Sequence, residues 1–164
     1  MIKEVLTVGD ERLLQVSVPL AEDEFNTQQL NALIEDMYDT MRYNNGVGIS
    51  AVQIGVRKRI ALIEYDNTNP RYLSIGYCPL TVVINPEIEI VGNERISYNE
   101  GCLSIPEVRG SVSRPLHLRY KFYDQLGKLT VGDSNAFFAR VIQHEIDHMN
   151  GILFPARIHG KIDD

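Results

Sequence analysis

The stretch R-V-I-Q-H-E-I-D-H-M-N-G, residues 140–151, decides how the rest of the chain is read. Together with Phe137 just upstream, Val141, His144 and His148 recur at i, i+4, i+7 and i+11, the spacing of one helix face. Histidines four apart project from that face within reach of one cation, and Glu145 follows one position round. H-E-x-x-H on a helix is thus a mechanical unit: two imidazole ligands, with a carboxylate beside the metal's open position that can collect a proton from water. The opposing reading is two unrelated core histidines. Each would then need its own hydrogen-bonding partner on an apolar face, where an unpaired imidazole is costly, whereas one metal accounts for both. Asn150-Gly151 closes the helix.

Upstream of this helix the pattern is mostly strand-like. R-I-A-L-I-E-Y from Arg59, T-V-V-I from Thr81 and E-I-E-I-V from Glu87 read as strands. Leu116, Leu118, Tyr120 and Phe122 alternate on one face, and D-Q-L-G turns into K-L-T-V, a hairpin partner. Residues 66–79 are polar, aromatic and proline-bounded, and read as a long surface loop. Nearer the start, Thr27 is an N-cap for an amphipathic helix with Leu30, Leu33, Ile34, Met37 and Met41 on one stripe, stopped at Asn44-Asn45-Gly46. Residues 5–18 look extended and irregular. Helix, then strands, then helix predicts an α+β fold: antiparallel sheets packed around a central metal-binding helix, with an N-terminal amphipathic helix. No repeat or linker divides the chain, so residues 1–164 are expected to form one catalytic domain.

Composition narrows the function. A formal net charge of −6, with no basic run longer than Arg57-Lys58-Arg59, argues against direct nucleic-acid binding, which needs a concentrated cationic face. The start carries charge within its first few residues, and no apolar run reaches the roughly 20 residues of a membrane span. A cytoplasmic protein with no membrane partner is the expectation. Two cysteines are too few for a disulfide scaffold, and in a reducing compartment they pack, ligate metal or react.

A metal needs a third ligand. The long pattern that adds a histidine six positions after the second one fails, because Phe154 stands there although Gly151 matches its glycine. The remaining donors are Cys78, Cys102, His117 and His159. Cys102 stands out by its surroundings, Y-N-E-G-C-L-S-I-P: Gly101 frees the backbone and Pro106 limits its continuation, so the segment reads as a shaped turn rather than a regular strand. Cys78 and Cys102 with both histidines would instead make a closed structural zinc centre with no open position.

Three separated motifs, G-V-G-I-S-A-V-Q (Gly46 to Gln53), E-G-C-L-S (Glu100 to Ser104) and H-E-I-D-H (His144 to His148), together resemble the peptide deformylase family. The opening G-D-E-R-L-L and the I-N-P before Glu87 are similar to it as well. The resemblance implies a hydrolase that removes formyl from the initiator methionine of nascent polypeptides and releases formate. It makes Cys102, His144 and His148 the ligands of one divalent ion, iron(II) natively, with zinc, nickel and cobalt as alternatives. Glu145 becomes the general base and then the acid; Gln53 and the backbone N–H of Leu103 become oxyanion donors. Gly46, Val47 and Gly48 would pair with the peptide backbone, Val141 would line the methionine pocket, and Arg109 would meet the peptide.

The implied partners are N-formylmethionyl nascent peptides and the ribosome that presents them, with a monomer as the expected state in a bacterial-type cytoplasm. Cysteine as third ligand argues against a general metallopeptidase, whose usual ligands are histidine or carboxylate. Ser50 replaces the usual alanine and is expected to find a local partner with little effect; Ser113 stands where proline often precedes the arginine matching Arg114. The chain runs only 10 residues past Phe154, so the extra C-terminal helix of many bacterial members, and a ribosome contact through it, are not expected. Asp147 beside a ligand needs a cation, for which Arg114 and Arg140 are the candidates.

Overall fold

The apolar run at Ile60–Tyr65 is continuous because both of its faces are covered. Ile60 and Leu62 join the cluster under an N-terminal helix, while Ala61 and Ile63 join the one under the H-E-x-x-H helix. This strand is β2. The computed structural model describes residues 1–158, so His159, one of the candidate donors, lies outside the described residues. The other strands are β1 (Gly48–Ser50), β3 (Cys78–Ile90), β4 (Arg95–Cys102), β5 (Ile105–Pro115), β6 (Leu118–Tyr123) and β7 (Leu129–Ser134). Five of them form an antiparallel sheet in the order β1-β2-β3-β6-β7, and β4-β5 form a separate antiparallel hairpin. The fold is α+β with antiparallel sheets.

Helix α1 (Gln28–Tyr43) opens at Thr27, whose side-chain oxygen accepts from the Leu30 N–H at 3.2 Å. It buries Leu30, Met37 and Met41 against Ile49, Ile60, Leu62 and Ile84 on one face of the five-stranded sheet. Helix α2 (Phe137–Met149) packs Val141, Ile142 and Met149 on the other face, against Ala61, Ile63, Val83 and Leu118. Its far side meets the β4-β5 hairpin: Gln143 donates to Pro115 O, and Arg140 to Val112 O and Ile96 O. The helix with the paired histidines is therefore sandwiched, which accounts for a segment buried nearly all round.

Three readings of the sequence need correction. The runs at Thr81 and Glu87 are one strand, β3, bent where Asn85 adopts φ 50° and the register with β6 shifts between Ile84 and Glu87. Asparagine tolerates that left-handed conformation, and its amide repays it by pairing with both backbone groups of Leu20. The loop after β2 does not lie wholly on the surface: Tyr72 and Ile75 turn inward and are buried, and Cys78 and Pro79 already belong to β3. Around Cys102 the chain is a hairpin rather than an isolated turn. Strand β4 runs through Gly101 to Cys102, with a register shift there, and only Leu103-Ser104 separates it from β5.

Helix α2 ends as its sequence implies. Gly151 N–H donates to His148 O and Ile152 N–H to Asp147 O, with Gly151 at φ 75°. A Cβ at Gly151 would also stand 2.5 Å from the backbone oxygen of Leu14. Gly151→Ala is therefore expected to destabilise the protein by at least about 1–2 kcal/mol from the left-handed conformation alone. Urea unfolding checks this, and an unchanged midpoint would show that neither the left-handed backbone nor the contact with Leu14 strains an alanine there.

Candidate metal centre and cleft

Among the described residues, Cys102, His144 and His148 bring one ligand atom each to within 4.8 Å of one another. Those spacings suit a single ion whose bonds are roughly 2.0–2.3 Å. The hairpin supplies Cys102 at the end of β4, and α2 supplies both histidines from successive turns of one face. The Cys102 Sγ lies 3.2 Å from His148 Nε2. His144 pairs its Nδ1 with Glu100 Oε1 at 2.9 Å, which leaves Nε2 for the centre. His148 is 1% exposed, and among the described residues its Nδ1 has no hydrogen-bond partner, so its Nε2 carries its polar contact. Two imidazoles and a thiol aimed at one point, from a helix and a hairpin that share no backbone bonds, fit a metal.

Electrostatics favour the ligating form of Cys102, while at His144, against the effect of burial, the same thiolate and Glu100 hold a proton in place. Burial alone would hold Cys102 as a thiol, but the imidazole of His148 and hydrogen bonds from both histidines outweigh it and bring the thiol well below its ordinary range. Burial pushes Glu145 upward, against the pull of His144 and His148. Burial would also raise Glu100, yet His144 and Arg114 hold that carboxyl well below the usual carboxylate range.

The other donors considered from sequence are elsewhere. Cys78 sits at the start of β3 with its thiol against Pro79 O and Thr81 Oγ1, and His117 pairs with Asp133 at 2.9 Å. Neither joins the group, so the closed two-cysteine, two-histidine centre is ruled out.

Glu145, Gln53, Leu103, Val47, Gly48 and Val141 line the same cleft as Cys102 and His144. Glu145 is 3% exposed, and its Oε1 accepts from Ser50 Oγ at 3.0 Å. The local partner expected for Ser50 is thus Glu145 itself. Gln53 lies in a single 3-10 turn after β1; its Oε1 accepts from the Ser50 N–H at 2.9 Å, and its Nε2 faces Ser104 Oγ at 3.0 Å and Cys102 Sγ at 3.7 Å. The segment before the first turn straps both motif loops, with Leu6 N–H on Gln53 O and Val8 N–H on Ser104 O, each at 2.8 Å. Gly46 stands behind the wall, where a Cβ would meet Leu103 Cδ1 at 2.9 Å. Arg109 is at the rim, donating to Asn99 O and lying 4.7 Å over the Tyr72 ring.

Sequence reasoning missed much of the surround. Arg114, 1% exposed, bridges Glu100 at 2.6 and 2.9 Å and Asp147 at 2.9 Å. Arg140 also binds Glu100, and Arg157 holds Asp147 through two bonds. Of the two cations considered for Asp147, Arg114 is its partner, while Arg140 serves Glu100. The signal for Glu100 was an acid two residues before a ligand cysteine. Tyr72, Tyr98 and Phe137 form an aromatic wall of the cleft, with ring centroids 5.5–6.3 Å apart. Their positions in a loop, an edge strand and a helix carry no joint pattern.

Comparison with known proteins gives one consistent answer. The family profile described as polypeptide deformylase matches residues 2–162. The chain is 46% identical over 158 residues to peptide deformylase 2 of Ralstonia nicotianae, covering 96% of this chain and 88% of the relative. It is 44% identical over 159 residues to peptide deformylase 1 of Nitrosomonas europaea, covering 97% and 89%. Its structure is similar to the Met-Ala-Ser-bound class I type b peptide deformylase of Acinetobacter baumannii, with a TM-score of 0.92, 36% identity, and coverage of 96% and 99%. An actinonin complex of the Ehrlichia chaffeensis peptide deformylase aligns with a TM-score of 0.84 at 33% identity, covering 96% and 88%.

Proposed function

The chain belongs to the polypeptide deformylase family, which removes formyl from N-terminal methionine, and from that premise we propose how its own residues perform the reaction. The reading is carried by one observation: three ligand atoms lie within 4.8 Å of one another, and two of their residues, Cys102 and His144, line one cleft with the buried Glu145. Cys102, His144 and His148 would hold one divalent ion, which would supply Lewis acidity and lower the pKa of a water towards neutrality. Iron(II) is the native ion in this reading, with zinc, nickel and cobalt compatible with a thiolate and two imidazoles.

Glu145 takes the proton from the attacking water and returns it to the departing methionine amine. The Ser50 hydroxyl fixes one carboxylate oxygen, which leaves the other to carry the proton. Gln53 Nε2 and the Leu103 N–H donate to the oxygen that becomes negative as the formyl carbon turns tetrahedral. Donors already in place are worth roughly 3 kcal/mol each in such sites. Gln53 suits this because its own Oε1 is anchored on Ser50 and its amide does not titrate. Val47 and Gly48, which line the cleft where β1 begins, pair with the peptide backbone, and Gly46 behind them completes the loop that presents it. Val141 and the aromatic wall receive the methionine side chain, whose thioether packs well on rings.

No described helix is long and apolar enough to cross a membrane. A cytoplasmic location, where thiols stay reduced, suits the Cys102 ligand. All the donors come from one chain, so a monomer acting on nascent chains at the ribosome suffices, with residues 1–164 as one catalytic domain.

The test is formate release from a formyl-Met peptide by protein prepared without oxygen and loaded in parallel with iron(II), nickel and zinc. Release that disappears on chelation supports the reading. Loaded protein that releases nothing with any of the three would sink it. A second expectation concerns Gly48, where a Cβ would lie 2.6 Å from Glu145 Oε2 and 3.0 Å from Val141 Cγ1. Gly48→Ala is expected to displace the proton carrier and narrow the cleft, lowering kcat/KM about 100-fold with the fold intact. Activity within a few-fold of the parent would mean that the carboxylate has room to shift.

A further inference from the structure

At the mouth of the cleft two guanidinium groups converge without a counter-charge. A Cβ built on Gly101 would lie 2.8 Å from Arg109 Nη1 and 3.3 Å from Arg71 Nη2. The arginines come from different elements, Arg109 from β5 and Arg71 from the loop between β2 and β3. Tyr72 sets their positions. Its hydroxyl accepts from the Gly101 N–H at 3.3 Å and donates to the Gly101 carbonyl at 3.2 Å, and its ring lies under Arg109 at 4.7 Å and Arg71 at 5.7 Å. Arg109 spends Nη2 on Asn99 O and leaves Nη1 towards Gly101. Among the described residues no carboxylate lies within ion-pair distance of either, although the chain has 22 acidic residues against 16 Lys and Arg. Arg140, which lines the same cleft, has its carboxylate in Glu100.

Like charges held side by side on a fixed platform are unfavourable until an anion joins them, and a guanidinium fork matches a carboxylate in shape as well as charge. Arg71, Tyr72 and Gly101 line the same cleft as Val47, Gly48, Cys102, His144 and Glu145. Gly101 adjoins Cys102 in the chain and lines the cleft with it, so an extended peptide whose first carbonyl sits at Cys102, His144 and Glu145 has Gly101 and its two arginines within reach, at roughly 3.3 Å per residue.

We propose that Arg71 and Arg109 form a carboxylate-binding subsite at the mouth of the cleft, which selects formylated peptides bearing a carboxylate within about two or three residues after methionine. This rests on the deformylase reading and extends it to the part of the substrate beyond methionine. The carboxylate has two sources, an acidic side chain in a longer chain or the terminus of a short free peptide.

The experiment compares kcat/KM for formyl-Met-Ala-Ala as acid and amide, and for formyl-Met-Ala-Glu-amide against formyl-Met-Ala-Gln-amide. The enzymes are nickel-loaded wild type and Arg71→Gln/Arg109→Gln. Within each enzyme the ratio of charged to neutral substrate is the readout. Wild type is expected to favour the charged member about five- to twenty-fold, through KM, with the preference shrinking in 0.5 M salt and falling to about one in the double variant. A preference in the first pair assigns the terminal carboxylate; one in the second assigns the side chain. A wild-type ratio within two-fold of one in both pairs overturns the proposal, as does a preference that survives in the double variant.

Calorimetric binding of Met-Ala-Ala as acid and as amide to the same proteins decides the matter without turnover. Selective binding of the acid that the double variant loses supports the subsite even if no formate is released, an outcome that would sink only the deformylase assignment. Equal binding of acid and amide overturns the terminal-carboxylate form independently.

Discussion

Replacing Glu145 by glutamine is expected to lower formate release about 100- to 10,000-fold while leaving the bound metal in place, the range seen when a positioned proton carrier is removed. The substitution is nearly isosteric, and a glutamine oxygen can still accept from Ser50, so the cleft keeps its shape. What is lost is the capacity to take and return a proton. Burial pushes the Glu145 carboxyl up from its ordinary range, against the pull of His144 and His148. Glu145 is not among the three residues whose ligand atoms converge, so metal content should be unchanged. Paired measurement of formate release and bound metal separates the outcomes. Activity within ten-fold of the parent would remove Glu145 from the proton path, and a parallel loss of metal would make it a ligand.

The second large effect is on stability. Arg114 is buried between Glu100 and Asp147, and deleting one partner of a buried ion pair costs about 3–5 kcal/mol because the others keep their charge without water. Here Glu100 would retain Arg140 and His144, and Asp147 would retain Arg157. The lower end, about 3 kcal/mol, is therefore expected for Arg114→Ala, or a Tm lower by roughly 6–12 °C for a chain of this size. Arg114→Lys should recover only part of this, because an ammonium cannot reproduce the fork that grips both carboxylates. Metal affinity should fall as well, since Glu100 orients His144. A melting point within 2 °C of the parent would mean that Arg140 and Arg157 carry the network by themselves.

What could be read from the sequence was what is local. The α2 stripe, the four-residue spacing of His144 and His148, the Thr27 cap and the Gly151 stop each sit within one turn of the features that reveal them. Cys102 became a ligand only through its motif, because residues 102 and 144 have no periodic relation. The need of Asp147 for a cation was legible, with Arg114 among the candidates, but the share of Glu100 in that network was not, because these residues meet only when the hairpin folds over α2. The hairpin itself went unread because its strands are largely exposed and polar, with no apolar alternation to announce them. β3 was divided in two because Asn85-Pro86 looks like a break, yet a sheet absorbs it as a bend. Tyr72 falls in residues 66–79, a loop sequence that carries no sign that one of its rings reaches the cleft.

The origin of the three candidate ligands has a mechanical meaning. Two come from one helix, but Cys102 comes from a hairpin and lies 42 positions before His144 in the chain. A cation bound there is a detachable cross-link, closing in the folded protein the kind of loop that a disulfide would close permanently. Chelation should then do more than silence the cleft. It cuts the staple between hairpin and helix, so amide hydrogens of β4 and β5 should exchange sooner while those of β2 and β3 keep their protection.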